Sequence, residues 1–328
     1  MASCDLTIEL EGDGVYRPGQ TIKGTLHVST SGAVRCDSLF VSLDWYTHGR
    51  GNRVRGAIER SELFVGELTA GEHRFPFEFQ VPATPRVYHG ELLNVDLELT
   101  AKADIPWAID PKTNAEIVVV YEDTTGYVVA PLSASDARDG CFPIAVATTV
   151  LAAAFALLLG IEHHVAVSFT LVLAVFSGLV AANRARRWFA AGKTGQVSVD
   201  VSQGGGGGYR EVSDRSRVRC GVQIARRGVR INSIVAKLLV QEIVVKGSGT
   251  NRTTSVHELY SAEEPLSVED NRTGADRLPL PEPSRIPFSF NKTDNHVEWR
   301  VNIHVDIEGW PDWIGAYTLD VTPGDSAG

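Results

Sequence analysis

Most of the chain alternates between apolar and polar residues with a period of two. Leu6, Ile8 and Leu10 are interleaved with Asp5, Thr7, Glu9 and Glu11, and Ile22, Gly24, Leu26 and Val28 with Thr21, Lys23, Thr25 and His27. The same alternation runs through 39–45, 75–81 and 93–102. Successive side chains of a strand point to opposite faces, so each run predicts a strand with one buried and one wet face. Turn residues separate the runs. In Val15-Tyr16-Arg17-Pro18-Gly19-Gln20 the proline presets φ and the glycine accepts a positive φ. No amphipathic helix of useful length interrupts residues 1–140, and short half-buried strands with turns between them predict an antiparallel β-sandwich.

The pattern returns after residue 194. Val197, Val199 and Val201 alternate with Ser198, Asp200 and Ser202, Val218, Cys220, Val222 and Ile224 alternate with polar neighbours, and Val297 to Ile307 do the same. Residues 234–245 (IVAKLLVQEIVV) predict a longer apolar strand, and the Glu-, Pro-, Asp- and Arg-rich stretch 262–285 predicts a long loop. The halves also rhyme. FPFEF (75–79) matches IPFSF (286–290), and VDLELTAKADIPW (95–107) matches WRVNIHVDIEGWP (299–311). An internal repeat of this kind predicts two tandem copies of one sandwich.

One stretch breaks the alternation. Residues 141–161 carry no charge, Glu162-His163-His164 follows, and 165–182 is again uncharged. A bilayer core needs about 20 mostly apolar helical residues, and each run satisfies that. The expectation is a transmembrane helical hairpin over 141–182. Arg184, Arg186, Arg187 and Lys193 follow it, with Trp188 and Phe189 beside them, while the 162–164 turn has no Lys or Arg. The positive-inside rule then places both ends in the cytoplasm, with Arg184, Arg186, Arg187, Trp188 and Lys193 at the membrane interface and membrane lipids as a partner. The expected organisation is a sandwich over 1–122, a linker over 123–140, the hairpin over 141–182, a basic juxtamembrane segment over 183–193, a second sandwich over 194–323 and a tail over 324–328.

Charge sharpens this picture. Residues 1–140 carry 12 basic and 21 acidic groups, and residues 194–328 carry 15 and 18. Acidic domains argue against nucleic acid as a bulk partner. The four cysteines, Cys4, Cys36, Cys141 and Cys220, have no CxxC spacing, which points to reduced thiols rather than a zinc site or disulfide framework. The N-terminal residues lack the apolar core of a signal peptide.

Catalytic signatures are absent: no GxSxG, HExxH or Walker pattern occurs, and the glycine run 204–208 lacks the Gly-Lys-Ser/Thr of a phosphate loop. His304, Asp306 and Glu308 share a strand face, and His163-His164 could hold a metal, but these read as a solvated face and a polar turn. No cofactor and no metal are expected. Asn251, Asn271 and Asn291 begin Asn-x-Thr sequons that would matter only outside the cytoplasm. The best local binding candidate is the Gly/Arg loop after the strand at 39–45, with Arg50, Arg53 and Arg55 as a site for an anion or acidic partner.

YRPGQTIKGTLHV (16–28), LFVSLDWYTHGRGN (39–52) and FPFEFQVPATPRVYHGELLNVDLELTAKADIPW (75–107) resemble the N-domain of arrestin-fold proteins. That group includes the α-arrestins, retromer-type arrestin-like subunits and bacterial sporulation-control proteins. The resemblance implies two seven-stranded sandwiches in tandem, and an adaptor or scaffold that binds proteins rather than an enzyme. The buried charge cluster that locks visual arrestins does not align, so no phosphate-sensing residue is carried over. The expected function is a membrane-anchored adaptor acting through cytoplasmic sandwiches. The alternative is a membrane or envelope sensor acting through the hairpin.

Overall fold

Strand β3 (Thr21–Thr30) shows how alternation becomes a sheet. Its odd positions face solvent, while Ile22 and Leu26 are fully buried. It pairs antiparallel with β1 (Cys4–Leu10) and β6 (Gly71–Gln80). The facing sheet is built on β4 (Val34–Gly49), between β5 (Arg55–Leu68) and β8 (Leu93–Asp104). The short strands β7 (Tyr88–His89) and β9 (Lys112–Glu116) line the other edge of β8. Leu26, Leu39, Leu43, Phe79 and Leu99 fill the space between the sheets. A parallel pair, β2 (Val15–Tyr16) with β10 (Val118–Val119), closes this half. The computed structural model describes residues 3–121, 127–135, 192, 194–203, 216–226, 228–270, 272–282 and 286–323.

The second half repeats the plan. Strands β13 (Val197–Ser202), β14 (Arg217–Ile224) and β17 (Thr273–Pro279) recur in the arrangement β1-β3-β6. Strands β16 (Thr253–Glu269), β15 (Ile231–Lys246) and β19 (Asn295–Ile307) recur in the arrangement β5-β4-β8, with β18 (Phe290–Lys292) and β20 (Trp313–Leu319) beside β19 as β7 and β9 lie beside β8. Its two layers are continuous, because the end of β16 bends to pair with β17 through Ser267–Ala275. Val199, Cys220, Leu238, Trp299 and Ile303 fill the second core. Strand β8 contributes to both cores: Leu93 and Val95 lie in the second, Leu97, Leu99 and Ala101 in the first.

Four expectations need correction. First, the described secondary structure is almost entirely strand, with the three-residue 3-10 turn Gly249–Asn251. No helix among the described residues is long and apolar enough to cross a membrane, so the structure supports neither the transmembrane-hairpin fold nor an integral membrane protein with two spanning helices. The 141–182 stretch and its flank, Arg184, Arg186, Arg187, Trp188 and Lys193, lie outside the described residues. The physical ground is that apolar residues alternating along strands build both cores without a helix. Second, the stretch 123–140 is not only a linker: β11 (Tyr127–Val129) pairs with β21 (Val321–Pro323), and β12 (Leu132–Ser135) pairs with β13. Tyr127 and Val129 are buried in the second core, so the chain enters that sandwich before residue 141. Third, 262–285 is largely strand. Its charges line the wet face of β16 and β17 while Leu266 and Leu278 point inward.

Fourth, the FPFEF and IPFSF motifs are not structural counterparts. Phe77 lies on β6, whose counterpart is β17, whereas Phe288 precedes β18 outside any strand. Phe77 is 6% exposed in the first core; Phe288 is only partly buried against the second. Phe77→Ala should therefore cost about 3 kcal/mol and Phe288→Ala about half as much. Urea denaturation of the two variants measures the difference.

Cys4, Cys36 and Cys220 are free thiols. Burial, reinforced by Asp200, pushes the Cys220 thiol up to about 12, which keeps it protonated and inert.

Candidate functional site at the junction of the two sandwiches

The two longest hairpins, β4–β5 and β15–β16, turn at the same place in space. The Asn52 amide donates to Val245 O at 2.8 Å. Asn52 Nδ2 donates to Gly247 O and Asp294 Oδ2, both at 2.9 Å, and Gly247 N donates back to Asn52 Oδ1 at 3.0 Å. One asparagine thus replaces a missing strand partner, using its side-chain amide as a backbone mimic. A side chain at Gly51 would collide with Asn295, so the close approach requires glycine there.

The contact is reciprocal. Asn295, at the start of β19, donates from Nδ2 to Thr47 Oγ1 on β4 and to Asn52 O, both at 2.8 Å. Glu242 on β15 accepts from the Leu92 amide, just before β8, at 2.9 Å, and from Tyr88 Oη at 2.6 Å. Thr47 opposes Val95 and Glu242 opposes Val297, which are corresponding positions of the repeat. Each sandwich therefore offers an acceptor on its central strand to a donor at the start of the other's next strand. Glu242 is fully buried and Asn295 nearly so. Burial first, then the hydrogen bond to Glu242, raises the Tyr88 hydroxyl far above its ordinary range. Gly90 completes the cradle, since any side chain there would run into Glu242 and Tyr88.

A groove of about 570 Å³ opens beside this junction. The segment before β7 forms one wall, and the segment leading into β18 forms the other. Arg86 lies between two rings, its guanidinium carbon 4.2 Å from the Tyr121 centroid and 5.0 Å from that of Phe288. Burial lowers its pKa, and no carboxylate among the described residues pairs with it. Tyr121 is fixed in turn, because the Val87 amide donates to its hydroxyl at 3.0 Å. On the opposite wall Lys292 Nζ sits 5.1 Å from the Trp45 ring, which meets Phe290 edge-on at 5.8 Å. The groove thus combines an aromatic and proline-lined surface with two cations. Such a surface suits an extended segment carrying apolar and acidic side chains.

The arginines expected from the sequence have separate settings. Arg50 is exposed, and its amide donates to Leu92 O at 2.9 Å. Arg53 stacks over Tyr46 at 4.6 Å. Arg55 turns onto the sheet, where it bonds the buried Glu98 and lies 3.7 Å from Asp44. Of the metal candidates, His304 Nε2 pairs with Asp312 at 2.9 Å. Sequence reasoning missed Arg86, Tyr121, Glu242 and Asn295. The one available signal was Arg86 itself, a cation among prolines and a tyrosine in PATPRVYHG.

Residues 57–123 match the family Arrestin (or S-antigen), N-terminal domain, which supports the arrestin-like resemblance over that stretch. No curated protein matches the chain. Among solved structures, the chain is similar to Spo0M, the sporulation control protein of Bacillus subtilis. The similarity has 14% identity and a TM-score of 0.31, covering 78% of this chain and 90% of that one. Arg86, Tyr88 and Tyr121 all fall within the 57–123 match.

Proposed function

We propose that the chain is a protein-binding adaptor or scaffold, not an enzyme, and that its partner docks in the groove between the sandwiches. The observation that carries this reading is Arg86. A half-buried guanidinium held between two rings, with no carboxylate of its own among the described residues, is set up to receive one from outside. Partial desolvation strengthens such a charge-assisted bond, and the planar guanidinium can grip a carboxylate with two parallel N–H groups. Tyr121, Phe288 and Phe290 supply apolar surface for the residues on either side. The arrestin-type match over the same wall points the same way, as the resemblance implies protein binding.

The test is fluorescence anisotropy with a panel of labelled extended peptides, in which an Asp or Glu is flanked by aromatic or aliphatic residues. The acidic members should bind, and their affinity should fall with salt. Arg86→Gln should weaken them about tenfold, a loss of about 1.4 kcal/mol. Equal binding of charge-reversed peptides, or unchanged binding by the Arg86→Gln chain, would refute this site.

A further inference from the structure

His48, His89 and Asp96 come from three strands and meet on the outer face of the first sandwich. The register explains why. His48 at the end of β4 and His89 in β7 both oppose Asn94 of β8, one from each side. Asp96 is two residues further along β8, so its side chain points to the same face. Both imidazoles lean onto that carboxylate: His48 Nε2 lies 2.7 Å from Asp96 Oδ2, and His89 Nε2 lies 2.8 Å from Oδ1. The three potential ligand atoms are within 4.8 Å of one another.

We propose that these three residues form a binding site for a divalent transition metal ion of the zinc class. Two imidazoles and one carboxylate are a donor set for Zn²⁺, Co²⁺, Ni²⁺ or Cu²⁺ rather than for Mg²⁺ or Ca²⁺, which prefer oxygen. Ligand atoms around a tetrahedral zinc stand about 3.3 Å apart, given metal–ligand distances of about 2.0–2.1 Å. To reach that, the two short N···O separations must open by about half an ångström and the widest separation among the three atoms, up to 4.8 Å, must close. The side chains have room to do so, at 46% and 63% exposure for His48 and His89. Asp96, at 21%, is the fixed member.

The proton inventory is simple. Without metal, each imidazole donates Nε2–H to the shared carboxylate. With metal, each Nε2 gives its lone pair to the ion and the ring proton resides on Nδ1. Asn94 is placed to serve that state, with its side-chain amide 3.4 Å from His48 Nδ1. Rotating the amide by half a turn would present its oxygen to Nδ1–H, the usual outer contact that orients a metal-bound histidine. Tyr46 stacks on the His48 ring at 5.8 Å and restrains it further. Water would fill the remaining coordination position.

The test titrates the 328-residue chain with Zn²⁺ and Co²⁺. One equivalent should bind, Co²⁺ should give the visible absorption of a low-coordinate site, and zinc should raise the melting temperature by binding only the folded form. His48→Gln, His89→Gln and Asp96→Asn should each weaken the site about tenfold or more, while His304→Gln should leave it unchanged. Should a variant fold poorly, imidazole ¹⁵N spectra of the unsubstituted chain decide the matter. Zinc should move the Nε2 resonances of His48 and His89 and no others. Absence of stoichiometric binding, or zinc shifts at other histidines, would overturn the proposal.

Discussion

Replacing Trp299 by alanine is expected to cost about 5 kcal/mol, the upper end of the range for removing a large buried aromatic residue. Trp299 is fully buried at the middle of β19, between β15 and β20. Its ring meets Tyr127 at 4.9 Å, and its Nε1 donates to Pro287 O at 3.0 Å. The substitution therefore opens a cavity, removes an aromatic contact and leaves a partly buried carbonyl without its donor. Tyr127 should suffer next. Its single hydroxyl proton is shared between Ile286 O and Glu282 O, so β11 is tied to the same cluster. Trp299→Phe, which keeps most of the volume but loses the N–H, should cost roughly 2 kcal/mol. Chemical denaturation followed by far-ultraviolet circular dichroism measures both. A loss under about 2 kcal/mol for Trp299→Ala would contradict the packing of the second core around this ring.

Glu242→Ala is expected to cost about 4 kcal/mol and to loosen the two sandwiches from each other. The fully buried carboxyl group accepts from the partly buried Tyr88 Oη and from the buried Leu92 amide. Its removal strands both donors, and each buried unsatisfied donor costs about 1–3 kcal/mol. Glu242→Gln should cost roughly half as much, since its oxygen can still accept from one donor while its NH₂ faces the other. The neighbouring Asn52–Gly247 and Asn295–Thr47 bonds remain, so the junction should weaken rather than vanish. Calorimetry distinguishes local from coupled effects. The single unfolding transition expected of the native chain should split into two in Glu242→Ala. A single unshifted transition would show that the two cores do not communicate through this residue.

The strands themselves were legible without a structure. The alternations at 21–28, 93–102, 197–202 and 297–307 all became strands whose apolar side faces a core, because a pleated strand sends neighbouring side chains to opposite sides whatever it pairs with. The errors came where composition substituted for pairing. The charged stretch 262–285 read as a loop, yet β15 gives β16 a partner along nearly its whole length. The small polar residues after 123 read as a spacer, yet Tyr127 and Val129 are anchors of the second core. The largely apolar stretch 141–182, outside the described residues, read as a membrane hairpin, and no helix among the described residues could cross a bilayer.

The sequence by itself determined which residues turn inward and that the chain is built of β-strands, since both follow from local periodicity and turn chemistry. It also carried the arrestin-like resemblance. Tertiary structure alone decided which strands are neighbours, and with them every candidate site. Asn52 meets Gly247, Glu242 meets Leu92, and His48 meets Asp96 only because distant hairpins are brought together. Arg55 looked available for an anion in the sequence, and cross-strand pairing gave it to Glu98 and Asp44. Arg86 looked unremarkable, and folding placed it between Tyr121 and Phe288 at the rim of a groove. The physical reason is the same in each case. A strand's inside and outside are properties of a few consecutive residues, whereas a site is a property of the register between strands, which no short stretch of sequence contains.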